Sequence, residues 1–398
     1  MRENVGVLGA GSWGTAAASA LARSGNRVML WSRSPELCSA INTEHVNTKY
    51  LPGYELPPSV TASSDMQEVC RFADVLFLAS PSLYLMDTVE RLLTCAPFNR
   101  TATAEPVGGA SSIDSADSAE SADTVAGAAS SGAGISSPGI GVSSDTHDTY
   151  PLIAVLTKGF LPDAKGEPQL ILDALEKKLP DVYRDHVVYV AGPSHGEEVA
   201  AGKLTGLIAA SKNPLNSIRC REMLKSRSLL VYSSLDIIGV QVCAAAKNVI
   251  AIAFGLLDAL IESSDFFGDN TESLLLAAGL NEIQIIGRAM GATHPETFTS
   301  ISGIGDLDVT CRSKYGRNRK FGREIITKRL LESFTGIDDL IAHIGNLGYL
   351  PEGIVACSYL KKLAAQYDLR LPLCAGLYKI LNKEWEPAEF IEEMLSGS

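Results

Sequence analysis

The run NVGVL at Asn4–Leu8 leads directly into Gly9-Ala10-Gly11-Ser12-Trp13-Gly14, and an alanine-rich stretch closed by Gly25 follows at once. A short apolar run read as a buried strand, followed by a helical run, predicts a strand–turn–helix unit. So sharp a turn needs residues without a side chain. In a G-x-G-x-x-G run placed this way, Gly9 permits the turn and Gly11 lets a pyrophosphate approach the backbone. Gly14 allows the helix to pack closely on the strand. The start of the helix adds free amides and the positive end of its dipole. A glycine-rich turn in an unrelated α/β fold is the competing reading.

The rhythm continues past this unit. NRVMLWSR and ADVLFLASPS read as further strands separated by helical patches, and such alternation predicts a doubly wound parallel sheet with helices on both faces. Residues Thr101–Thr149 break the pattern: they are mostly Ala, Ser, Gly, Thr and Asp and contain no aromatic residue. Such a segment buries too little apolar surface to offset its ordering entropy, so it reads as a disordered insertion. The strand pattern resumes at once in YPLIAVLTKG, which favours an insertion within one sheet over a linker between domains. VVYVAG, TGLIAA and SLLVYSS complete the sheet. Beyond Asp236 the patterns are long and helical. The expected organisation is a Rossmann-type α/β domain over residues 1–236, with 101–149 inserted, and a mostly α-helical domain over 237–398.

At 398 residues the chain is long enough for two cores. Its net charge of −12 opposes non-specific binding to nucleic acid or to anionic membranes. An anionic ligand must therefore be held by local cations. Eight cysteines lie scattered, without C-x-x-C pairs or zinc-like spacing to histidine, so no metal site is expected. Scattered thiols suit a reducing compartment, and the N-terminus lacks signal-peptide character, so a cytoplasmic protein is expected.

Several stretches carry chemistry. The second strand ends Trp31-Ser32-Arg33, where a strict NAD binder would offer an acid to the ribose. Arg33 can instead meet a 2′-phosphate, which favours NADP or tolerance of both cofactors. Lys158 follows the strand LIAVL, on the side where ligands of an open parallel sheet bind. AGPSHGE at Ala191–Glu197 suggests a backbone-lined pocket floor, and His195 within it is left without a catalytic assignment. The cationic run after Asp306, through Arg317 and Asn318 to Lys320, suits an anion site, with Arg317 and Asn318 positioned to hold a phosphate. It is too short and too poor in aromatics for a nucleic-acid patch.

One lysine stands out. Lys247 lies in GVQVCAAAKNVIAIAFGLLDAL, on a helical stripe with Val240, Cys243, Ala244, Ile250, Ala251 and Phe254. Taken alone, it reads as a snorkelling side chain whose stem packs and whose ammonium reaches water. A membrane span is disfavoured, because Gln241, Lys247, Asn248 and Asp258 interrupt the run and a central charge costs about 3 kcal/mol.

Together these stretches resemble the soluble, bacterial-type NAD(P)-dependent glycerol-3-phosphate dehydrogenases. The shared pieces are GAGSWGTA, LWSR, NTKYLPG, ASPS, TKG, AGPS, EEVAAG, IGVQVCAAAKNVIAIAFG, GIGDLDVTC, GRNRKFGRE and PEG, and they run nearly the whole chain outside the insertion. The resemblance implies reversible hydride transfer between NADPH or NADH and dihydroxyacetone phosphate, giving sn-glycerol 3-phosphate for phospholipid synthesis. It implies Lys247 as general acid/base, Lys158 as a second lysine on the same oxygen, and Asp306 as the carboxylate that orients Lys247. Gly192, Ser194, Asn248, Thr310, Arg317 and Asn318 match substrate contacts, beside Lys158, Lys247 and Asp306. Gly9, Gly11, Ser12, Trp13, Gly14, Arg33, Lys158, Gly196, Arg317, Leu350 and Glu352 match cofactor-side positions. The chain departs from the family at Gly316, where many members have Ser, at His195-Gly196, which replaces an aromatic-alanine pair, at Ser80 and at Ala278. A homodimer is compatible with this reading. The alternatives are a dehydrogenase of the same architecture acting on another small oxo compound, and a dinucleotide-binding sensor without turnover.

Overall fold

The computed structural model describes residues 2–99, 150–313, 315–387 and 390. The expected insertion at 101–149 lies outside them. Eight strands form one sheet, in spatial order Leu229–Ser234, Thr205–Ala210, Val188–Ala191, Leu152–Val155, Val75–Leu78, Asn4–Leu8, Arg27–Trp31 and Val60–Ser63. Val75 pairs with Leu152 in register, so the strands on either side of 101–149 are direct neighbours. The strand order reverses at Asn4–Leu8, which places a ligand crevice beyond Leu8 and Leu78.

The sheet departs from the all-parallel expectation at one step. Val188–Ala191 pairs antiparallel with Thr205–Ala210, which runs parallel to Leu229–Ser234. The helix joining the antiparallel pair, Gly196–Ala200, has only five residues. At 1.5 Å per residue it is too short to carry the chain back along the sheet for a parallel return.

The helix Ile237–Ile261 begins at Asp236, whose Oδ1 accepts a hydrogen bond from the Gly239 amide at 3.0 Å. It is buried on almost every side. Its first turns, through Ile237, Val240 and Ala244, join the core beneath the sheet, and Val249 to Leu257 form the centre of the helical core. By length and composition it could cross a membrane, but here it is packed inside the protein.

Helix Arg317–Thr327 crosses this core helix at backbone contact. A Cβ on Gly322 would strike the Ile252 carbonyl and approach Leu256 N to 3.0 Å, while one on Gly255 would strike the Arg319 carbonyl. Glycine on both sides therefore sets how close Arg317 and Asn318 come to Lys247. Arg319 locks the crossing through a two-pronged bond to Asp258 at 2.6 and 2.7 Å. Overpacking typically costs about 1–3 kcal/mol. Gly322→Ala is expected to lower unfolding stability by about that amount in urea titration, whereas an unchanged midpoint would mean the crossing adjusts freely.

Candidate active site

Lys247 does not snorkel. Its side chain is 5% exposed, and Nζ donates to Oδ1 of Asp306, which is itself fully buried. The second oxygen of Asp306 accepts from Lys158 Nζ at 3.1 Å. Lys158 also donates to the Gly192 carbonyl and to Ser194 Oγ, both at 3.1 Å. One carboxylate thus serves two ammonium groups from different elements. Burial pushes Lys247 down from 10.5 to about 7; Asp306 opposes this and Lys158 adds to it.

Around this triad lies a pocket of about 210 Å³, walled by Lys158, Ser194, Lys247, Asn248, Asp306, Thr310, Arg317 and Asn318. Gly192, expected as a substrate contact, stands outside it and reaches it only through its bond to Lys158, because its buried backbone packs against Gly206 and Leu207. Thr310 Oγ donates to the Asp306 carbonyl at 2.6 Å. The cationic run sorts itself by partner. Arg312 pairs with Asp308 and Glu272, Arg319 with Asp258, and Arg323 with Glu262, while Lys320 lies over the Tyr349 ring. Arg317 makes no ion pair or hydrogen bond among the described residues, and it lines the pocket.

The pocket opens into a larger cleft of about 990 Å³, at the upper end of small-molecule sites, and the two share Ser194, His195, Tyr315 and Arg317 in their walls. The cleft runs from Arg33, which sits 5.7 Å over the Tyr84 ring, past Gly9, Gly11, Ser12 and Trp13 to Gly196 and Leu350. Gly14 lines the smaller pocket rather than the cleft, and a Cβ on it would strike the Gly9 carbonyl. Helix Ser12–Arg23 starts without a side-chain cap or an acid in its first turn, so its first amides keep no side-chain partner, and Gly11, Ser12 and Trp13 line the cleft. Trp13 Nε1 is buried without a partner among the described residues. These features fit a dinucleotide: free amides for pyrophosphate, a cation with an aromatic support at the far end, and an unused donor near the pocket. Glu352 lines the smaller pocket rather than the cleft.

Two residues carry more of the site than the sequence indicated. His195 lies in the wall common to both spaces, with Nε2 3.4 Å from the Val309 carbonyl, and burial pushes its imidazole below the usual histidine range. Asn47, inside the NTKYLPG segment, is fully buried and donates to the Ala10 carbonyl at 2.9 Å and to Thr15 Oγ at 2.7 Å. It props the glycine turn from behind. Beyond its place in a stretch shared with the family, the asparagine gave no local signal of this.

Comparison with known proteins decides the family. The model for the C-terminus of NAD-dependent glycerol-3-phosphate dehydrogenase matches residues 236–392, and the model for its N-terminus matches 4–104 and 133–217. The chain belongs to the NAD-dependent glycerol-3-phosphate dehydrogenase family. It is 62% identical over 397 residues to a glycerol-3-phosphate dehydrogenase [NAD(P)+] of Treponema denticola, covering 100% of this chain and 99% of the relative. A Treponema pallidum protein of the same name is 51% identical, over 98% and 99% of the two chains. The crystal structure of the Coxiella burnetii glycerol-3-phosphate dehydrogenase superposes with a TM-score of 0.74 at 26% identity, covering 99% of each chain. The family match passes over residues 105–132.

Removing the shared carboxylate is expected to be costly. Asp306→Asn leaves two ammonium groups facing each other in a buried site, and breaking a buried pair typically costs about 3–5 kcal/mol. Asp306 holds the Lys247 proton on, so the variant sheds the uncompensated ammonium at a lower pH than the parent, and the loss should shrink as pH rises toward about 7 and stay constant above it. Denaturant titrations of Asp306→Asn at pH 6 and pH 9 check both points; equal stability to the parent at pH 6 would contradict them.

Proposed function

We propose that this chain reduces dihydroxyacetone phosphate to sn-glycerol 3-phosphate, reversibly, with NADPH or NADH bound in the large cleft. The supporting observation is the polarity of the small pocket. Its wall combines a buried lysine poised to change charge with an arginine that has no partner among the described residues and two asparagine amides. A three-carbon ketone carrying a phosphate matches that combination. An unphosphorylated ketone would leave Arg317 unused.

The bound nicotinamide supplies or accepts the hydride. The protein holds the triose, excludes water and moves one proton. Lys247 Nζ gives the proton that the carbonyl oxygen takes up on reduction, and it receives the hydroxyl proton in the reverse direction. Lys158, held by Gly192, Ser194 and Asp306, places a second positive charge beside the same oxygen, where negative charge develops. Asp306 orients both lysines. Arg317, with Asn248 and Asn318, binds the phosphate through charge-assisted hydrogen bonds.

On the cofactor side, Gly9, Gly11, Ser12, Trp13, Gly14, Gly196 and Leu350 shape the cradle, and Glu352 borders its inner end. Arg33 replaces the usual carboxylate and suits a 2′-phosphate, so NADPH is served at least as well as NADH. The reading extends to a two-domain organisation divided near Asp236, a cytoplasmic enzyme feeding glycerophospholipid synthesis, and a homodimer.

Two measurements test it. Oxidation of NADPH or NADH, followed by absorbance, is expected to proceed with dihydroxyacetone phosphate at a kcat/KM about 100-fold above that with dihydroxyacetone, from two charge-assisted bonds. Absence of phosphate-dependent turnover with both cofactors would refute the proposal. Lys247→Ala should lower kcat by about 100- to 10,000-fold. In the parent enzyme, reduction needs the ammonium and should fall as pH rises through about 7, while oxidation needs the amine and should rise. Parallel pH profiles in the two directions would remove the acid/base role.

A further inference from the structure

The phosphate end of the pocket contains two primary amides, and either could turn an oxygen or an NH2 toward the ligand. An oxygen there would repel a phosphate. Asn248 and Asn318 are 6% and 8% exposed, so their orientation depends mainly on protein partners rather than on bulk water. Something in the fold must choose.

The hydrogen bonds identify it. The backbone amide of Gly353 donates to Asn318 Oδ1 at 2.9 Å. Asn318 Nδ2 in turn donates to Asn248 Oδ1 at 3.0 Å. A backbone N–H can only donate, so the Asn318 atom it meets is the oxygen and the other atom is the NH2. That NH2 then requires the oxygen of Asn248, which leaves the Asn248 NH2 without a partner among the described residues. Both asparagines line the pocket.

Gly353 supplies that amide for a reason rooted in helix structure. It is the first residue of the 14-residue helix Gly353–Gln366, and Glu352 before it provides no side-chain cap. The first amides of a helix have no acceptor within it and carry its positive dipole end. Asn318, from another helix, fills the role of the missing cap and passes the polarity onward.

We propose that the Gly353 amide, acting through Asn318 as a positioning residue, fixes Asn248 with its NH2 toward the ligand, so that the phosphate end offers donors only. This rests on the phosphate reading above and deepens it. Asn318→Asp keeps the shape but reverses the relay. One carboxylate oxygen still accepts from Gly353, the other demands a donor, and Asn248 must turn its oxygen to the ligand.

The probe is inorganic phosphate, titrated into the full-length chain and followed by NMR of the asparagine side-chain amides, with dihydroxyacetone phosphate kinetics alongside. In the parent chain, phosphate should shift the Asn248 NH2 resonances; a silent Asn248 overturns the proposal without needing any variant. Asn318→Asp should weaken phosphate binding and raise KM by about 10- to 100-fold, with a much smaller change in kcat. Part of that loss is the added charge, which the same substitution in an Asn248→Ala background measures alone. The relay requires the double variant to lose clearly less than the product of the two single losses. Multiplicative losses would overturn it. If phosphate fails to bind the parent chain, or Arg317→Ala leaves its binding intact, the phosphate reading itself falls, and the relay with it.

Discussion

Two ammonium groups share one carboxylate in a place almost closed to water, and the rest of the structure is arranged around that fact. Asp306 is held by the start of its helix and by both lysines, so its position fixes theirs. Alone, a buried lysine sheds its proton; beside a carboxylate it keeps it. Lys247 is balanced between these influences, with burial the larger, and the second lysine tips it further toward release. A lysine able to exchange its proton near neutrality is what reversible ketone reduction requires. The desolvation that would be a liability in a structural ion pair here brings a lysine toward neutrality.

Placing that balance required distant parts of the chain to meet. Lys158 comes from the end of a central strand, Lys247 from the middle of the core helix, and Arg317 and Asn318 from the first turn of a third element. The backbone contact between Ile252 and Gly322 sets the last distance, and the Asp258–Arg319 pair prevents the helices from sliding. Beyond the same strand ends, the glycine turn and its prop, Asn47, form a cleft that runs into the pocket at Ser194 and His195. Cofactor space and substrate space share a wall, as hydride transfer between two bound molecules demands.

Much of this was legible in the residues. NVGVL, RVMLW, VLFL and LIAV are strands where their apolar runs predict them, because buried parallel strands need little but continuous apolar side chains. The glycine spacing located the cleft for the same kind of local reason. The direction of Thr205–Ala210 was not legible, since it depends on how short a helix the chain places before it. Lys247 illustrates the limit most clearly: its local stripe suggested a snorkelling stem, and the link to Asp306, 59 positions later, came from the family resemblance and not from the stripe. Gly192, expected at the substrate, lies outside the pocket wall, and its carbonyl accepts from Lys158, a placement no local pattern indicated. The orientation of Asn248 is set by a backbone amide more than 100 residues away, and no periodicity carries that information.

If burial outweighs Asp306, the Lys247 ammonium titrates where a lysine can act as acid and base. Selective 15N labelling of lysine, with Nζ followed by NMR between pH 5 and 10 and Lys247→Arg used for assignment, measures this without reference to turnover. One lysine Nζ is expected to titrate near neutrality and to vanish in Lys247→Arg. A Lys247 signal that stays protonated to pH 9 would contradict it.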